Sequence, residues 1–183
     1  MNKRFNLKAS LIVVAILVLP LAQAATMTKA DYEAGKTRIS ADYKADKAAC
    51  ASLAANAKDI CVEEAEGKQK VARAELEYGY TGKPGDHTKV LEAKAKSAYA
   101  VAKEKCDDKS GNDKDVCVQE AKAVEAKALA DAKMGKQIGE AKKDAAEEKR
   151  DADYKVAVEK CDAMASEAKT SCIADAKAKF GKN

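Results

Sequence analysis

The chain has 183 residues, with 34 Lys and Arg against 30 Asp and Glu, a net charge of +4, one His, six Cys, no Trp and 40 Ala. Behind residue 24 only 18 of 159 residues, about 11%, are Leu, Ile, Val or Phe, below the level at which a chain normally buries a sizeable core. That excludes most catalytic folds and requires something other than apolar burial to hold the molecule together.

Residues 1–24 read as a secretory signal peptide. Basic residues Lys3, Arg4 and Lys8 precede an apolar run from Leu11 to Leu19, and Pro20-Leu21-Ala22-Gln23-Ala24 places small residues at the cleavage positions. Pro20 cuts the apolar run well short of the roughly 20 residues that span a bilayer, so cleavage after Ala24 is expected rather than an uncleaved anchor. Cleavage leaves 31 positive against 30 negative side chains, a net charge of +1. Both signs then alternate along the whole chain, without the local surplus of Lys and Arg that nucleic acid or an anionic membrane requires.

The mature chain opens on Thr28-Lys29-Ala30-Asp31, a capping box, with Met27 and Tyr32 at the spacing of a hydrophobic staple. A helix is predicted over 28–55, with a narrow seam of Tyr32, Ile39, Tyr43, Cys50 and Leu53.

Cys50 begins a repeat. The cysteines stand at 50, 61, 106, 117, 161 and 172, three pairs with identical gaps that recur at 56 and then 55 residues. Tyr43, Tyr99 and Tyr154 each precede the first Cys by seven. Lys58, Lys114 and Lys169 share an offset, as do Val62, Val118 and Ile173, and Ala65, Ala121 and Ala176. The units are 25–80, 81–135 and 136–183.

Two positions eleven apart on one helix lie about 16 Å apart, beyond the roughly 4.4 to 6.8 Å a disulfide allows, so pairing within a unit demands a reversal. Ala55-Asn56 and Gly111-Asn112 lie midway, with Gly suited to a helix C′ position, Asn to an N-cap, and Asp59 and Asp115 three residues after the caps. Unit three has Ser166-Glu167 there, a weaker turn signal. The same gap equals three helical turns and would also suit an unbroken helix with bonds between chains. Ser110-Gly111-Asn112-Asp113 makes a poor helix interior, and six cysteines in an exported chain are normally paired, so hairpins with Cys50–Cys61, Cys106–Cys117 and Cys161–Cys172 are expected.

The second helix is predicted over 57–78, ending in the loop Gly79 to His87, the boundary between units; Thr88 is placed to cap the third helix. Beyond the second bend an alanine seam of Cys117, Ala121, Val124 and Ala128 runs towards Gly135 and Gly139, where a bend is expected, and on to Cys161. A short last helix carries Ile173, Ala176 and Phe180 and ends at Gly181. The fold class is therefore all-α: three tandem disulfide-stapled antiparallel helical hairpins, extended or loosely stacked, with a low hydrophobic core.

Sites of known chemistry are missing from the pattern. Gly79-Tyr80-Thr81-Gly82-Lys83 departs from a phosphate loop in its spacing and in Pro84 after the Lys. Asp108 to Asn112 has alternating oxygen ligands like a calcium loop, but Asp113 stands where Gly is needed and Gln119 where a bidentate Glu should be. His87 is alone, so no zinc cage or Ser-His-Asp relay can form around several histidines, and no C-x-x-C is present. The reading is of a protein with no catalytic residue, no cofactor and no metal, in which Tyr43, Tyr99 and Tyr154 serve a repeat interface.

The blocks Ala41 to Cys50 and Asn56 to Ala65 resemble exported Ala/Lys-rich cysteine-repeat proteins of Gram-negative bacteria, a group of uncharacterised role often described as TolA-like or as cell-envelope proteins. The resemblance covers most of the mature chain. It implies a periplasmic location. This chain differs from TolA in its expected cleavable leader. The function expected is that of a non-enzymatic periplasmic structural or stress-related envelope protein. The rivals are a module that binds a protein or peptidoglycan partner through the hairpin faces, and a redox-active thiol protein.

Overall fold

A computed structural model describes residues 27–182; the leader expected over 1–24 lies outside the described residues. The Ala-, Lys- and Glu-rich flanks of the cysteine pairs form five α-helices, as their propensities require. Among the described residues they are α1 (Lys29–Ala49), α2 (Ala55–Thr81), α3 (Pro84–Cys106), α4 (Gly111–Asp162) and α5 (Ser166–Phe180), with a 3₁₀ turn over Cys50–Ser52 after α1. Thr28 caps α1, its Oγ1 accepting from the Asp31 backbone N–H at 3.1 Å.

Disulfides staple the hairpins at Cys50–Cys61, Cys106–Cys117 and Cys161–Cys172, with Cα–Cα distances of 5.6, 5.7 and 5.7 Å. The first cysteine of each pair is about 1% exposed and the second is half-buried, so each bridge is buried from one side. Among the described residues the rest of the apolar core is Ala65, Val90, Ala95, Ala132 and Ala176. Such a core contributes little at about 25 cal/mol per Å², whereas closing a loop of this size covalently is worth about 3 kcal/mol. The staples therefore dominate at the bends.

The helices pack serially. Among the described residues α1 lies on α2, α2 on α3, α3 on the first half of α4 and α5 on its end, and no helix touches one that is not its sequence neighbour. At 52 residues α4 is about 78 Å long. Every residue from 133 to 150 is exposed, so this stretch is a bare single helix between the part covered by α3 and the part covered by α5.

Four local expectations are corrected. Asn56 is not a cap: Ala54 precedes α2 in extended conformation, and the Asn56 Nδ2 donates across the hairpins to the Glu104 carbonyl at 2.9 Å. Asp59 and Asp115 make no capping hydrogen bond, and neither α2 nor α4 has a side-chain cap. The loop predicted over 79–87 shrinks to Gly82 and Lys83. α2 continues to Thr81, and Pro84 opens α3, where its fixed φ and missing N–H are tolerated, so Thr88 lies inside the helix with its Oγ1 donating to the Pro84 carbonyl at 3.3 Å.

In place of the bend expected at Gly135 and Gly139, α4 runs through both without interruption. Two isolated glycines cost a helix about 1 kcal/mol each, and nothing on either side supplies a competing turn. The boundary drawn between residues 135 and 136 thus falls within one helix.

Candidate functional site

The repeated residues have structural roles at the bends. Lys114 pairs with Asp107 at 3.0 Å and Lys169 with Asp162 at 3.2 Å, each clamping its bend from the residue after the first cysteine. Unit one has Ala51 at the place of Asp107, so Lys58 lacks that carboxylate. Cys50, Cys61, Cys106, Cys117, Cys161 and Cys172 are all bridged and none is free.

The three tyrosines are not brought together. Tyr43, Tyr99 and Tyr154 are each half-buried on α1, α3 and α4, and no aromatic contact joins any two of them among the described residues. Tyr43 faces the α1–α2 groove, its hydroxyl accepting from Lys47 Nζ at 3.2 Å, a bond that raises the Lys47 pKa. Tyr154 meets Phe180 edge to face at 6.1 Å, holding α5 on α4. Tyr43 and Tyr154 thus each lie within their own hairpin.

The aromatic contacts that sequence reasoning missed lie at the other end of the first hairpin. Tyr32 stacks on Tyr80 with ring centroids 4.5 Å apart and donates its hydroxyl to Glu77, which raises the tyrosine pKa. His87 is exposed and tilts against Tyr78 at 5.0 Å.

The α2–α3 turn holds the one buried acid among the described residues. Asp86 is 7% exposed and accepts from Lys89 Nζ at 2.8 Å and from Thr81 Oγ1. The Thr81 oxygen in turn accepts from the Lys83 N–H at 3.2 Å. Lys89 first and Thr81 second hold the Asp86 carboxyl below the ordinary carboxylate range. The group is tied on both sides, by Thr81 from the end of α2 and by Lys89 from the first turns of α3, and so joins the two helices at their turn.

A groove of about 600 Å³ lies between α2 and α3. Val71, Ala72, Ala98, Val101 and Ala102 supply its apolar floor. Ion pairs stand at both ends, Lys94–Glu75 at 2.8 Å and Lys105–Glu64 at 3.3 Å. The helices approach closely because Gly67 meets Ser97. The Ser97 Oγ donates to the Gly67 carbonyl at 3.4 Å, and a Cβ on Gly67 would stand 2.9 Å from the Ser97 Cβ. Gly67 inside a helical run was the available signal, since an interior glycine without a turn implies a close neighbour.

Along the rim Lys68 is held by Asp46 of α1 at 2.8 Å, which raises its pKa. The groove can take up apolar surface between two charged ends. Among the described residues no cluster of His, Cys, Asp and Glu could hold a metal. Among the described residues no helix is long and apolar enough to cross a membrane. Compared with protein-family models, with curated proteins and with solved structures, the chain matches none.

Proposed function

We propose that this is a non-enzymatic periplasmic protein, exported by the signal peptide of residues 1–24, that serves as a structural or stress-related component of the cell envelope. The observation that carries the reading is the serial architecture: hairpins held by three disulfides, two of them anchored on a helix about 78 Å long. Such disulfides persist in an oxidising compartment, and a mixed-charge exterior with a minimal core suits a spacer rather than a pocket. The likeness to exported TolA-like envelope proteins supports the same placement.

The test is deletion of the gene followed by assay of detergent sensitivity and leakage of periplasmic enzymes, with complementation by the exported chain and by one lacking residues 1–24. Restoration by the exported form alone is expected. An intact permeability barrier in the deletion strain under envelope stress would overturn the reading.

The α2–α3 groove favours a second reading, a module that binds a protein or peptidoglycan partner. Its apolar floor between paired charges fits an extended or helical segment with the same alternation. Saturable co-sedimentation with purified peptidoglycan, lost on Val101→Glu, would support the peptidoglycan form of it.

A further inference from the structure

The α2–α3 turn and the middle of α4 are the same place in successive repeats. The shift that lays Cys61 on Cys117 lays residues 62–82 on 118–138, and the shift that lays Cys106 on Cys161 lays 84–106 on 139–161. Gly82, left-handed at φ 62°, is replaced by Ile138, and Pro84 by Gly139. Lys83, the extended residue that precedes α3, has no counterpart. A β-branched side chain resists the left-handed conformation, and the turn has lost its extended residue. All three changes remove the reversal, and α4 runs straight through.

The faces that the reversal would have joined are still present. The ion pairs Glu75–Lys94 and Glu64–Lys105 have as counterparts Asp131 with Lys149 and Glu120 with Lys160, with the sign kept at every position. Lys68 and Val101, which line the groove, become Val124 and Val156; Val71 and Ala98 become Lys127 and Asp153, again opposite charges. All eight are exposed, Val124 at 64% and Val156 at 54%, high values for valines on a helix. At 100° per residue they fall within an arc of about 80° on α4. That arc is turned away from Ala132 and Cys161, which are buried towards α3 and α5.

Within one molecule a straight α4 keeps Asp131 and Lys149 about 27 Å apart. Two antiparallel molecules remove that separation. The pairs 120/160, 124/156, 127/153 and 131/149 are all symmetric about residue 140, so a two-fold axis there makes each contact twice, as an isologous interface requires. Shortening a hinge is also the known route by which a contact within a chain becomes an exchange between chains.

We propose that the protein forms an antiparallel homodimer through α4, in which two copies make between them the helix pairing that α2 and α3 make within one chain. Val124 packs on Val156 of the second copy, and Glu120, Lys127 and Asp131 pair with its Lys160, Asp153 and Lys149. Ala123 and Ala152 take the places of Gly67 and Ser97, so the two α4 helices stand slightly wider apart than α2 and α3.

Sedimentation equilibrium of the full exported protein, purified with its disulfides intact, tests this. A concentration-dependent monomer–dimer equilibrium is expected. Asp131→Lys, which sets like charges opposite each other at two places, raises the dissociation constant at least about tenfold, and adding Lys149→Asp restores it. Carbodiimide coupling of a mixture of ¹⁴N and ¹⁵N protein joins Asp131 to Lys149 in mixed-isotope peptides. Rebuilding the first turn, with Ile138→Gly, Gly139→Pro and a Lys inserted between them, gives a monomer whose scattering profile is shorter. A monomer mass at all concentrations, extended or folded back, overturns the proposal, as does a dimer indifferent to the charge exchange.

Discussion

Ala55 and Gly111 occupy the same place in successive hairpins, five residues after the first cysteine, and both hold left-handed backbone, φ 50° and φ 56°. The residues before them match as well, Ala54 at φ −129°, ψ 159° and Ser110 at φ −135°, ψ 159°. The two bends are one conformation, and only the second has the residue that adopts it without a steric penalty. Ser166, at the same offset in the third hairpin, is not left-handed, and Ala165 before it sits at φ −71°.

An L-residue in left-handed backbone costs about 1–2 kcal/mol. Ala55→Gly is therefore expected to stabilise the protein by about 1 kcal/mol, and Gly111→Ala to destabilise it by a similar amount. Ser166→Gly, which relieves nothing, gives no gain. Urea denaturation of the three variants checks all of this in one series.

Gly67 and the pair Gly135 and Gly139 respond in opposite directions to alanine. At Gly67 a Cβ meets the Ser97 Cβ at 2.9 Å, and Ser97 cannot swing that atom away, so α2 and α3 must separate. Overpacking of this kind costs about 1–3 kcal/mol against a helix-propensity gain of about 1 kcal/mol, and Gly67→Ala is expected to lower the melting temperature. Nothing lies within 4 Å of a Cβ on Gly135 or Gly139. Each alanine there raises the stability of α4 by about 0.5–1 kcal/mol, read as slower amide exchange over residues 133–150.

Removing the staples one at a time is expected to have unequal effects. α3 and α4 share a long packed face, whereas α5 has 15 residues and is held by Tyr154–Phe180, by Lys169–Asp162 and by Lys182 on Asp151. Replacing Cys161 and Cys172 by Ser, at a loss of about 3 kcal/mol, frees α5 and abolishes exchange protection over 166–180. Replacing Cys106 and Cys117 lowers the melting temperature but leaves α3 and α4 protected. Excess reductant removes far-UV helix signal around all three bends. Unchanged circular dichroism in reductant would contradict the dominance of the disulfides.

The Asp86 tie gives stability a dependence on pH. Lys89 and Thr81 depress the folded-state pKa of Asp86 below its unfolded value, so the contribution is fully present above the ordinary carboxylate range and is lost as pH falls through the folded value. The melting temperature of the wild type is expected to exceed that of Asp86→Asn by a constant margin between about pH 6 and 8. That margin closes below about pH 4. A margin unchanged at low pH would mean that Asp86 acts without its charge.

Much of the architecture was legible because it depends on short-range rules. Ten residues between cysteines cannot be bridged along a helix, so pairing within a unit required a bend, and the structure has one between Cys50 and Cys61, Cys106 and Cys117, and Cys161 and Cys172, while Thr28 with Asp31 is a local cap wherever the rest of the chain goes. The repeated tyrosines marked the period and the hairpin faces, but periodicity alone does not say which neighbour a side chain meets.

Tertiary packing decided the rest. Asn56 had the composition of a cap but donates to Glu104, because serial stacking brings the end of α3 beside the start of α2. The register of α2 on α3 follows from one close approach, Gly67 on Ser97, and that register sets the two ion pairs and the groove between them. Gly135 and Gly139 looked like a hinge. With no residue free to take the extended place of Lys83, and no neighbour in the structure to reward a reversal, the hydrogen bonds of an unbroken α4 prevail. Composition and spacing thus determined where the chain is stapled, and contacts between residues distant in sequence determined which helices meet and where one runs on alone.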